Sequence, residues 1–69
     1  MLTKDALKKF RDDLCLQQTE LALLLGVSKQ AVWHWETGRK NPSRPHVRQI
    51  MELVRKHKLK YTPEDFLGE

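Results

Sequence analysis

Apolar residues recur at intervals of three and four along most of this chain, and the recurrence stops at a few glycines and prolines. That period marks helices with one buried face, and no alternating run of β-branched residues predicts a strand. The first segment spans about Thr3 to Leu14, with Thr3 as a good N-cap and Asp5 in the first turn. Leu7, Phe10 and Leu14 share its apolar face, with Ala6 beside them. The second spans about Gln18 to Leu25, where Leu21, Ala22 and Leu25 face inward and Gly26 suits the position past the end. The third spans about Lys29 to Glu36, capped by Ser28 and stopped by Gly38. The fourth runs from about Ser43 or Pro45 to His57 on Val47, Ile50, Met51 and Val54, with Arg55, Lys56 and His57 at its C-terminal end. A short fifth helix is expected at Thr62-Pro63-Glu64-Asp65, carrying Phe66 and Leu67. These elements predict an all-α fold, a four- to five-helix bundle forming a single domain over residues 1–69.

Segments two and three are separated only by Gly26-Val27-Ser28. So short a turn forces a steep crossing, the arrangement of a helix-turn-helix. A close crossing needs a small residue, supplied by Ala22, and a residue that accepts positive φ, supplied by Gly26. Val27, Val32 and Trp35 then fill the wedge between the two helices. At 100° per residue, Lys29, Gln30, Trp33 and His34 fall on the arc opposite Val32 and Trp35. A mostly polar arc carrying one indole, left outside a bundle, invites a partner.

Arg11, Gln18-Thr19-Glu20-Leu21-Ala22, Gly26-Val27-Ser28, Val32, Trp35-Glu36 and Gly38 together resemble the phage repressor and Cro-like (XRE-type) helix-turn-helix regulators. The likeness covers roughly residues 4 to 57. It implies a lambda-repressor-like bundle that binds double-stranded DNA, commonly as a two-fold dimer on a near-palindromic operator. It implies that Ser28, Lys29, Gln30, Trp33 and His34 form the face of the recognition helix that meets base edges. Gln18 matches a residue that contacts a phosphate and braces that helix, and Arg11 with Glu36 matches a structural ion pair. The sequence departs from the pattern at Trp33, an aromatic on the groove face, and at Leu23 and Leu24, where polar residues are expected.

The side-chain chemistry agrees with that resemblance. The major groove admits an α-helix, where Gln30 can pair twice with adenine and Lys29 can donate to guanine. His34 donates or accepts according to tautomer. Trp33 can meet a thymine methyl, line the sugar–phosphate wall, or pack against segment four. Phosphate contacts are expected from Gln18, Thr19, Arg39, Lys40, Asn41 and Arg44, which flank the recognition helix.

Charge and composition narrow the function without deciding it. Thirteen Lys and Arg against nine Asp and Glu leave a net charge of +4, which favours polyanions. The longest apolar run, Leu21 to Val27, is far short of the roughly 20 residues that span a bilayer. No signal-peptide core follows Met1, so a cytoplasmic, DNA-associated protein is expected. Cys15 excludes an intrachain disulfide and is expected to be a buried or half-buried thiol. His34, His46, His57 and Cys15 have no metal-ligand spacing, so neither a metal nor another cofactor is expected. No catalytic triad, carboxylate pair or phosphate loop appears, so neither an enzyme nor a small-molecule substrate is expected. A dimer would use Leu53, Leu59, Tyr61, Phe66 and Leu67. The alternative is a protein-interaction module, such as an antitoxin or adaptor, that seats a partner on Leu23 and Leu24.

Overall fold

The computed structural model describes residues 3–67. Over that range the chain forms α1 (Thr3–Asp13), α2 (Gln18–Leu25), α3 (Lys29–Glu36), α4 (Arg44–Lys56) and α5 (Glu64–Leu67), with no strand among the described residues. Helix α3 packs on α1 and α2, and α5 packs on α1 and α4. Helix α1 therefore stands between α3 and α5.

The first four helices close in the same way, with the left-handed residue that follows each one folding the chain back onto the last turn. After α1, the N–H groups of Cys15 and Leu16 donate to the carbonyls of Asp12 and Arg11 at 3.0 and 3.1 Å. Gly26 and Val27 do the same for Leu23 and Ala22, and Lys58 and Leu59 for Arg55 and Val54. Gly38 and Arg39 donate to Trp35 and His34. This Schellman pattern satisfies carbonyls that each helix would otherwise leave orphaned. Gly26 and Gly38 hold φ of 70° and 79° at no steric cost, whereas Cys15 and Lys58 hold 55° and 56° with a Cβ present.

The starts of the helices differ more from expectation. Thr3 is the first helical residue of α1 and is buried, so it is not the cap; the residue before it lies outside the described range. Gln17 caps α2, and its backbone N–H donates to Glu20 Oε1 at 2.8 Å, which is the carboxylate half of a capping box. Ser43 stands at the N-cap of α4, but its hydroxyl meets His46 Nδ1 at 2.8 Å instead of a backbone N–H. Cys15 is exposed, because the left-handed turn it occupies faces away from the core.

Ala6, Leu7, Phe10, Leu21, Val32, Ile50 and Phe66 are completely enclosed. Phe10 stacks edge-on to Phe66 and to Tyr61, with ring centroids 5.7 and 6.0 Å apart, a preferred geometry for aromatic pairs. Phe66 therefore leaves the dimer surface expected from the sequence. Helix α5 is only four residues long and uses Phe66 as the plug that seals α1 against α4. Tyr61 is also largely committed within the chain: its hydroxyl donates to Asp13 and its ring leans on Phe66. Leu53, Leu59 and Leu67 are half-buried, each with one side against the core.

Candidate nucleic-acid interface

The geometry of this surface begins at the turn between α2 and α3. A Cβ added to Gly26 would meet nothing within 4 Å, so glycine is needed there for its dihedral alone. Ala22, 3% exposed, is the small residue where the two helices cross, and Val32 and Trp35 fill the wedge. Ser28 Oγ then accepts from the Ala31 N–H at 3.1 Å and starts α3 without delay.

The far end of α3 is fixed by a buried carboxylate. Glu36, 2% exposed, accepts from Arg11 Nε at 2.7 Å and Nη2 at 3.0 Å, and from Gln18 Nε2 at 3.1 Å. Arg11 Nη1 also donates to the Leu16 carbonyl at 2.9 Å. One guanidinium thus ties α1, the α1–α2 turn and α3 together, while Gln18 adds α2. The two-pronged bond to Glu36 raises the Arg11 pKa above its already high ordinary value. Gln18 spends its amide on the brace that the resemblance implies, and remains half exposed at the opening of α2.

With both ends pinned, α3 turns one arc outward. Ser28, Lys29, Gln30 and Trp33 are exposed, and His34 is half-buried beside them. His34 Nδ1 is enclosed without a hydrogen-bond partner among the described residues, so Nε2 is the ring nitrogen left for a partner. Thr19, Arg39, Lys40, Asn41 and Arg44 are all exposed around this arc.

Trp33 is 39% exposed. Its ring lies 5.1 Å beneath the Arg39 guanidinium and 5.2 Å from the His34 ring. Gly38 makes this stacking possible: the turn it forms fixes the Arg39 N–H on the His34 carbonyl at 2.9 Å, one turn above Trp33. A cation over an exposed indole gains about 0.5–1 kcal/mol. The indole thus acts as a shelf that holds a positive charge at the margin of the arc. The Trp-to-Arg spacing of six residues carries no periodic signal, so sequence reasoning finds both residues but not their contact.

The family profile described as Helix-turn-helix matches residues 7–66. The chain belongs to the helix-turn-helix family. Its XRE-type, Cro-like branch comprises DNA-binding transcription regulators, not enzymes, and double-stranded DNA is the partner that membership implies. Comparison with curated proteins and with solved structures gave no match. Among the described residues, no helix is long and apolar enough to cross a membrane, and no group of three metal-ligating side chains converges.

Proposed function

We propose that this helix-turn-helix protein is a sequence-specific, Cro-like repressor that reads the major groove with α3. The observation that carries the reading is the exposed arc Ser28, Lys29, Gln30 and Trp33 on a helix fixed at both ends. Gln30 reads adenine, Lys29 reads guanine, and His34 Nε2 makes a third polar contact. Trp33 borders the arc with an apolar edge while holding Arg39 toward a phosphate. Thr19, Lys40, Asn41 and Arg44, with the free capacity of Gln18, supply the remaining backbone contacts. Repression follows from occupancy, since a domain seated in the groove excludes competitors.

The reading requires two copies on DNA. The described residues extend 27 Å at most and carry one recognition helix, whereas adjacent major-groove half-sites lie about 34 Å apart. A near-palindromic operator bound by a homodimer meets that spacing. Leu53 and Leu59, half-exposed at the C-terminal part of α4 and just beyond it, are the proposed contact; Tyr61 and Leu67 lie at its edge. Selection of bound duplexes from a random pool tests the whole reading: symmetric half-sites about one helical turn apart are expected, and no enrichment overturns it.

One observation favours a second reading. Leu23 and Leu24, 82% and 55% exposed, are adjacent on α2, and among the described residues no element covers them. A protein-interaction module, antitoxin or adaptor, would seat its partner there. Such a module keeps its partner when Lys29→Ala and Gln30→Ala remove duplex preference, which a repressor acting through DNA does not require.

A further inference from the structure

Helix α4 carries a second feature, which the DNA reading touches only at its first residue, Arg44. Arg44, Arg48 and Arg55 fall within about 40° of one another when viewed down the helix, at 100° per residue. They form a stripe about 16 Å long. The stripe borders a groove of about 280 Å³ between α4 and α5. Its apolar walls are Val47, Met51, Pro63 and Leu67. Among the described residues no acidic side chain lines it, and none of the three arginines makes an ion pair. Glu52, at the flank of the stripe, leaves Arg48 unpaired as well.

We infer that this groove docks an acidic amphipathic helix of a partner protein, with carboxylates on the three arginines and one apolar side chain between Met51 and Leu67. Charge complementarity selects the sign of the occupant, because three guanidinium groups without an ion-pair partner among the described residues line one side of the opening. The apolar walls select its second property, because a phosphate backbone offers nothing to fill them. The size admits an apolar side chain: at about 280 Å³ the groove stands at the lower edge of the roughly 300–1,000 Å³ of small-molecule sites. The spacing selects a helix laid parallel to α4, because arginines at i, i+4 and i+11 then meet acids at the same intervals. The groove meets the proposed DNA surface only at Arg44, since its far wall, α5, packs on α1 and α4 while α3 packs on α1 and α2. Leu53 lies on the opposite side of α4 from the stripe, so the groove shares only Leu67 with the edge of the proposed homodimer contact.

The probe is a labelled 16-residue helix-forming peptide with Glu at positions 1, 5 and 12 and Leu at positions 4 and 8. Its fluorescence anisotropy is titrated with the full chain, beside a scrambled peptide of the same composition and a mixed-sequence duplex. The patterned peptide is expected to bind about tenfold tighter than the scrambled one. The pair Arg48→Gln and Arg55→Gln, both exposed and so neutral to folding by circular dichroism, removes about that factor while duplex affinity changes less than twofold. Equal binding of the two peptides overturns the inference. So does a paired variant that weakens the duplex as much as the peptide, which would make the stripe part of the DNA surface. A paired variant that turns a dimer into a monomer in sedimentation also overturns it, by giving the groove to a second copy.

Discussion

Arg11 and Glu36, 25 residues apart in the chain, face each other through two hydrogen bonds of 2.7 and 3.0 Å, and Glu36 is almost wholly enclosed. The pair sets the angle at which α3 leaves the bundle. Its importance shows when one partner is removed. Arg11→Met leaves a buried carboxylate with only the Gln18 amide and is expected to cost roughly 3–5 kcal/mol. Adding Glu36→Leu to that variant removes the stranded charge and is expected to recover much of the loss. Urea denaturation checks both, read as a shift of midpoint at constant slope.

The sole tyrosine gives a second, pH-dependent expectation. Burial first, and then the hydrogen bond to Asp13, raise the Tyr61 phenol well above its ordinary value of 10.0. In the unfolded chain that phenol ionises near its ordinary value, while in the fold it keeps its proton to higher pH. The stability it contributes is therefore fully present below about pH 10 and falls as pH rises from there toward the folded value. Phenolate absorbance should appear later in the folded protein than in urea, and Tyr61→Phe should flatten the alkaline loss of stability.

Left-handed helix ends provide a third. Lys58 holds φ of 56° in a turn where Gly26 and Gly38 stand at the equivalent positions of α2 and α3. Lys58→Gly is expected to gain up to about 1 kcal/mol by relieving the Cβ, offset in part by a more flexible unfolded chain. Gly26→Ala, by contrast, is expected to lose about 1 kcal/mol or more, since alanine at φ of 70° is strained even with open space around it. Thermal unfolding of the two variants should move in opposite directions.

These turns also mark where the sequence is legible. The α2–α3 turn can be read because its left-handed residue is a glycine and is followed within two residues by a serine cap. The α1 and α4 turns have the same geometry and the same hydrogen bonds, but Cys15 and Lys58 carry no local signal for it. Phe66 is hard to place for a related reason. A four-residue helix has no period from which to read its buried side, and only the contact with Phe10 shows that it plugs the core. The outward arc of α3 is legible from spacing alone as an exposed face, because α3 is two turns long with both wedge residues apolar. The Arg39 stack on Trp33 is not, because it depends on the chain reversal at Gly38.

Base reading and phosphate contact separate by their signatures. Gln30→Ala is expected to relax preference at one base-pair position by about 1–3 kcal/mol and to leave the others intact. Arg44→Ala should weaken all duplexes alike and flatten the dependence of log affinity on log salt by about one unit. Affinity measured across a panel of single-base variants at three salt concentrations distinguishes the two.

The central claim is that α3 presents its outer arc to a groove. The most direct measurement is selection of duplexes from a random pool by the native chain and by Gln30→Ala, sequenced side by side. The expected result is a recurrent motif of two related half-sites for the native chain, with the Gln30 variant losing preference at one symmetric pair of positions. Identical motifs from both proteins, or a native pool no more ordered than the input, would contradict it.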